Sequence, residues 1–163
     1  MPRWVYNPHT GGKSIPPGIR TRTERRILDY AAKHYSGKFT QIDVRFHGAL
    51  CYIDAYVEPD VPRESGPPAG QKRSEWIEGL RNTPIHICRI RYFGNEDRWS
   101  FAWYTYAHEK YEPAFLITGA DQGTPEEAFE TAALFLRWHS RRRHVRRFRF
   151  VCIRRHECPP RGD

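Results

Sequence analysis

Apolar and polar residues alternate strictly over Gln41–Phe46, where Ile42, Val44 and Phe46 interleave with Gln41, Asp43 and Arg45. A period of two predicts a half-buried strand. His47-Gly48 reads as a two-residue turn, and Ala49–Val57 returns as the second strand. That register sets Phe46 opposite Ala49, Val44 opposite Cys51 and Ile42 opposite Ile53, all on one face. A second hairpin is predicted over Ile85–Phe93 and Arg98–Tyr106, turning through Gly94-Asn95-Glu96-Asp97. Its apolar side pairs Tyr92 with Trp99, Ile90 with Phe101 and Cys88 with Trp103. Its other side pairs Arg91 with Ser100, Arg89 with Ala102 and Ile87 with Tyr104. Glu112–Ile117 reads as a fifth strand, which Pro113 marks as an edge.

Helical spacing appears twice. Ile27, Ala31 and Tyr35 recur every four residues with Leu28 flanking them, which predicts a helix over Ile19–Tyr35 with Gly37 beyond its end. Thr124-Pro125-Glu126-Glu127 carries Thr at N-cap, Pro at N1 and Glu at N3, the signature of a capping box. The helix it opens is expected to reach at least Arg137 and to bury Phe129, Ala133 and Leu136. Residues 1–18 are rich in Pro and Gly and predict no regular structure. So is the insertion Glu58–Pro84, apart from a short helix near Ser74–Leu80. The pattern is that of one α+β domain over residues 1–136, an antiparallel sheet of about five strands packed by two principal helices. Residues 137–163 form a cationic C-terminal extension.

Composition adjusts this picture in two ways. The hydrophobic fraction is a modest 39%, but aromatic residues make up 14%, and large rings supply core area that aliphatics do not. No apolar run approaches the roughly 18 residues of a membrane span, and Met1-Pro2-Arg3-Trp4 offers no signal-peptide core. The expectation is a soluble, cytoplasmic chain with free thiols and no membrane partner. Cys51 and Cys88 fall in strands as small core residues, while Cys152, His156 and Cys158 make a C-x3-H-x-C candidate metal cluster. That cluster lacks a fourth ligand and matches no standard zinc spacing, so no cofactor is expected.

Charge is the most asymmetric feature. Residues 137–163 hold 10 Arg against Glu157 and Asp163, whereas residues 1–136 balance 17 basic against 17 acidic side chains. The whole surplus of +8 therefore sits in the extension. A cationic tail of this kind seeks a polyanion. Arg141, Arg142, Arg143, Arg146, Arg147 and Arg149 are candidate phosphate contacts, since guanidinium groups grip phosphate bidentately. Within the sheet, the side opposite the apolar one holds Arg45, Arg89, Arg91, Tyr52, Tyr56, Tyr104 and Tyr106, rings and cations suited to single-stranded nucleic acid. Tyr also favours strands for its own sake, and Arg/Asp pairs cross-link neighbours. The leading expectation is a nucleic-acid-binding accessory protein, DNA or RNA, with largely sequence-independent phosphate contacts. The alternative is an assembly subunit with a protein partner or a second copy of itself. A small metal-dependent hydrolase comes third.

Candidate catalytic chemistry is thin. Asp43 and Asp54 share a sheet face and offer two carboxylates, with Glu58, His47, His86 and His108 as further groups. Salt bridges to Arg45 and Arg89 account for the same carboxylates. Gly12-Lys13-Ser14 resembles the end of a phosphate-binding loop, but Asn7 stands where that loop needs its first Gly, and Ile15-Pro16-Pro17 forbids the helix that should follow. Arg161-Gly162-Asp163 spells an adhesion tripeptide and is most simply chance in a cytoplasmic chain.

Three stretches, Tyr6-Asn7-Pro8-His9-Thr10-Gly11-Gly12, Arg91-Tyr92-Phe93-Gly94 through Trp99-Ser100-Phe101, and Gly123-Thr124-Pro125-Glu126-Glu127-Ala128-Phe129, carry a resemblance. Across about residues 4–136 the chain resembles a group of bacterial hypothetical proteins with no assigned activity. The resemblance implies a bacterial cytoplasmic domain and carries over no functional residue.

Overall fold

The protein is described by a computed structural model that places residues 11–134 and Leu136. Helix α1 covers Pro17–His34, beginning two residues earlier than the spacing predicts because Pro17 is pre-set for the first helical position. It buries Ile19, Thr23, Ile27 and Ala31, one per turn, and Tyr35 closes it. Leu28, expected to flank that stripe, is instead exposed. Strands β1 (Gln41–His47) and β2 (Leu50–Tyr56) pair antiparallel, as expected. Their register differs from the expected one. The turn is Gly48-Ala49, so Phe46 faces Cys51, Val44 faces Ile53 and Ile42 faces Ala55. Displacing a two-residue turn by one position slides the pairing by two, which leaves every side chain on its expected face.

Helix α2 (Arg73–Arg81) lies within the insertion and buries no residue. The segment is fastened by polar contacts. Arg73 donates to the carbonyls of Val61, Pro62 and Ser65, and Arg81 grips Glu58 with two bonds of 2.9 and 2.6 Å. Strands β3 (Ile85–Tyr92) and β4 (Trp99–Thr105) pair in the expected register, Tyr92 to Trp99 through Cys88 to Trp103. Strand β5 is Lys110–Ala114, set two or three residues earlier than expected, and Pro113 does lie on an edge strand. A sixth strand, β6 (Gln122–Gly123), was not anticipated. It pairs with the start of β4, beyond the reach of β5. The sheet order is β1-β2-β3-β4-β5, with β6 joined to β4.

Helix α3 covers Pro125–Ala132 and Ala133 caps it; Leu134 and Leu136 are again helical, and Arg137, the expected end, lies outside the described residues. The capping box forms as read: Thr124 Oγ1 accepts from the Glu127 amide at 3.2 Å, and Glu127 Oε2 accepts from the Thr124 amide at 2.8 Å. Phe129, Ala133 and Leu136 are buried as expected, although the last two lie past the end of α3. Together α1 and α3 pack on one side of the sheet, over Cys51, Ile53, Cys88, Ile90, Trp99 and Phe101. Phe129 meets the rings of Tyr30 and Tyr35 edge-on at 6.3 and 5.6 Å. Both tyrosine hydroxyls donate to Glu130 Oε2, at 2.9 and 2.6 Å. Arg26 on α1 pairs with Glu126 on α3. An α+β domain with an antiparallel sheet and two principal helices is thus the observed architecture, with α2 as a third, peripheral helix.

Residues 11–16 are irregular but anchored. The Lys13 amide donates to the Tyr92 carbonyl at 2.9 Å, the Ile15 amide to the Gly48 carbonyl at 3.1 Å, and the Ile15 side chain is in the core. Among the described residues, no helix is long and apolar enough to cross a membrane.

Candidate nucleic-acid interface

The sheet side away from α1 and α3 gathers its polar residues from five strands. Alternation puts Arg45 of β1 opposite Tyr52 of β2, and Tyr52 opposite Arg89 of β3. Arg89 faces Ala102 of β4, and Tyr104 faces Tyr111 of β5. The rings touch in series. Tyr52 meets Tyr111 at 5.4 Å, Tyr111 meets Tyr104 at 5.0 Å, and Tyr104 meets Tyr106 at 4.8 Å, all edge-on. Two guanidinium groups lie over this chain of rings, Arg45 over Tyr52 at 5.7 Å and Arg89 over Tyr111 at 5.2 Å. Both distances fall within cation–π range. Tyr106 is exposed, and Tyr52, Tyr104 and Tyr111 are half-buried. Burial, with the Asp54 charge nearby, pushes the Tyr111 hydroxyl well above its ordinary value, so it stays a neutral donor.

Arg89 is unusual in this setting. Its residue is 8% exposed, yet no carboxylate among the described residues lies within ion-pair distance of it, and it makes no hydrogen bond to them. Thr23 Oγ1 is the one sealed side-chain polar atom left without a partner among the described residues. A cation in the position of Arg89 has N–H groups to offer a visiting anion. Arg91 is placed differently. It is buried at the Leu50 end of the sheet, with its Cγ beside Gly12.

Asp54 is 2% exposed and both of its oxygens are engaged. Oδ2 accepts from Arg45, and Oδ1 is 2.8 Å from His86 Nδ1. Asp43 lies directly opposite Asp54, and Arg45 reaches it at 3.7 Å. The two candidate catalytic carboxylates share a sheet face as expected, stand directly opposite each other where the expected register set Asp43 against Tyr52, and are bridged by an arginine. Among the described residues, no cluster of three His, Cys, Asp or Glu is arranged to hold a metal. Of the other polar candidates, Glu58 is taken by Arg81, His108 pairs with Glu112 at 2.9 Å, and His47 ends β1 in an exposed position. Cys51 and Cys88 are core residues whose thiols burial pushes well up, which removes them as nucleophiles. Arg141, Arg142, Arg143, Arg146, Arg147, Arg149, Cys152, His156 and Cys158 lie outside the described residues.

One member of the site, His86, escapes the alternation rule. His86 belongs by parity on the core side of β3, and Ile87 on the polar side. The pairing slips between Ile53 and Asp54, so that Ile53 faces Cys88 while Asp54 faces His86, and Ile87 is the extra residue. This β-bulge sends Ile87 into the core and turns His86 onto the Arg/Tyr side. His86 then sits 4.6 Å from the Tyr104 ring and 6.5 Å from both Tyr106 and Tyr111. Tyr111 was missed because the fifth strand was expected to start at Glu112. The signal available for it was a tyrosine just outside an edge strand, opposite a strand that already carries Tyr104. The chain has no significant match to any family model, curated protein or solved structure.

Proposed function

We propose that the protein binds single-stranded nucleic acid on the Arg/Tyr side of its sheet, with the arginines of residues 137–163 adding phosphate contacts. The observation that carries this reading is Arg89, a nearly buried guanidinium with no acid partner among the described residues, set over Tyr111 within a run of touching rings. Tyrosine faces accept any base, at about 1–3 kcal/mol per stacked base, and guanidinium groups take the phosphates. The net charge of +8 favours encounter with a polyanion and makes binding salt-sensitive.

The test is fluorescence anisotropy of labelled single- and double-stranded DNA and RNA across a salt series. Replacing Arg141, Arg142, Arg143, Arg146, Arg147 and Arg149 by Gln should flatten the dependence of log K on log salt. On a single strand the slope falls by roughly 0.7 for each phosphate no longer neutralised. Tyr104→Ala with Arg89→Gln should instead weaken binding about tenfold or more at fixed salt, the equivalent of one unstacked base. If the unmodified chain binds none of the four ligands at low salt, the reading is wrong.

A further inference from the structure

Strand binding makes no use of the Asp54–His86 pair. Asp54 is fully enclosed and, as a carboxylate, can only accept, so the proton on the shared bond belongs to His86 Nδ1. In the neutral ring this leaves the lone pair on Nε2, which has no hydrogen-bond partner among the described residues. The His86 side chain is 33% exposed and lies among Tyr104, Tyr106 and Tyr111. Tyr106 Oη also accepts the His86 backbone amide at 3.0 Å, which fixes the strand where the ring leaves it. Arg45 holds the far oxygen of Asp54, so the carboxylate cannot turn away. A buried acid orienting a half-exposed imidazole is the arrangement a general base requires. A bulge that re-aims a side chain in this way is a recurrent neighbour of active sites.

We propose, on the strength of the strand-binding reading above, that this side of the sheet cleaves RNA with His86 as general base. Nε2 takes the proton of a ribose 2′-hydroxyl. The 2′-oxygen forms a bond to the adjacent phosphorus as the bond from phosphorus to the 5′-oxygen breaks. The departing 5′-oxygen takes a proton from water, and the hydroxide so formed recovers the proton from the imidazolium. The products are a 2′,3′-cyclic phosphate and a 5′-hydroxyl, with no change of oxidation state. Arg89 neutralises charge on the non-bridging phosphate oxygens, and the tyrosines hold the flanking bases apart. Asp54 and Arg45 are positioning residues. The charged and titratable groups around His86 are Asp54 from β2, Arg45 and Asp43 from β1, Arg89 from β3, Tyr104 and Tyr106 from β4 and its end, and Tyr111 from β5.

The experiment incubates the full-length chain, in EDTA to silence contaminating metal nucleases, with a short end-labelled RNA. The controls are its DNA counterpart and the same RNA carrying a single 2′-deoxy residue at the cut. Expected products end in a cyclic phosphate, the deoxy junction stays whole, and DNA is bound but uncut. His86→Gln, which keeps a donor for Asp54, should slow cleavage about 100-fold or more. Asp54→Asn can turn an N–H toward Nδ1 and so misorients the ring, which should lower kcat about tenfold or more while the KM for RNA stays unchanged. A merely structural loss would move KM and the urea midpoint as well. RNA that is retained by anisotropy but remains intact overturns the cleavage proposal and leaves the binding reading standing. Equal cleavage by His86→Gln, or of DNA, also overturns it. Failure to bind RNA at low salt also overturns the cleavage proposal, and it overturns the binding reading only if DNA is not bound either.

Discussion

Gly12 and Gly94 offer a paired test of how the irregular N-terminal segment is seated. Both have left-handed backbones, with φ of +93° and +102°, and a Cβ added at either meets its nearest atom at 2.9 Å. The neighbours differ. At Gly94 every close atom belongs to the tip of the Lys13 side chain, which can swing aside. At Gly12 the Cβ meets Ala49 Cβ at 2.9 Å and the Tyr92 carbonyl oxygen at 3.0 Å. That carbonyl is pinned by the Lys13 amide, and the Tyr92 amide is bonded to the Ala49 carbonyl, so this wall cannot yield locally. A left-handed Cβ costs about 1–2 kcal/mol, partly offset by about 0.4–1 kcal/mol from a stiffer unfolded chain. Gly94→Ala should therefore lose roughly 1 kcal/mol. Gly12→Ala adds an overpacking cost of about 1–3 kcal/mol, for a loss of roughly 3 kcal/mol in all. In urea unfolding with a slope near 2 kcal/mol/M, the two midpoints should differ by about 1 M, Gly12→Ala being the lower. Coincident midpoints, or a larger loss at Gly94, would refute the idea that backbone approach rather than φ dictates Gly12.

Two further outcomes follow from the helix pair. Phe129→Ala empties a fully buried site and removes both edge-on tyrosine contacts. It should cost about 3–5 kcal/mol in urea unfolding, and a loss under about 1.5 kcal/mol would mean that α3 is not seated on the core as described. The Glu126 carboxyl is pulled in two directions: burial favours its neutral form, but hydrogen bonds from Arg26, its own backbone and Thr124, with the Arg26 charge, together outweigh this and hold it below the usual range. A depressed folded-state value stabilises the fold above the unfolded carboxylate value of about 4.3 and is lost as pH falls below it. Glu126→Gln should therefore lower the urea midpoint at pH 7 and flatten its fall between about pH 5 and 3. A variant with the parent's full acid dependence would show that other carboxylates carry it.

What could be read from the chain followed from how far each signal propagates. From Tyr92–Trp99 to Cys88–Trp103 the second hairpin was legible to the residue because these side chains are all large or apolar and admit one register; the expected Ile87–Tyr104 pair beyond them is lost to the bulge. In the first hairpin small residues at the turn, Gly48 and Ala49, left its centre ambiguous by one position. The faces survived that error, since hairpin registers move in steps of two, and so Arg45, Tyr52 and Asp54 were correctly grouped. His86 was not, because an inserted residue changes parity without leaving any mark in composition. Isoleucine at 87 fits an alternating strand as well as it fits a bulge. Arg89 could be placed on a face, but its lack of an acid partner is a property of three-dimensional neighbours. Helix α3 was announced by its cap, a local interaction over four residues, whereas its end had no comparable signal.

The connection between β2 and β3 bears on how this chain can change. Antiparallel neighbours need only a two-residue turn, yet 28 residues separate Tyr56 from Ile85. By chain statistics alone that excess costs about 2 kcal/mol in closure entropy. The Glu58–Arg81 clasp sits at the neck of the segment, and its helix buries nothing. Apart from Val57 at its start, which packs against the core, the sheet does not lean on this segment. Its length and content are free to answer to selection for something other than folding, and the neck opens beside Asp54 and His86.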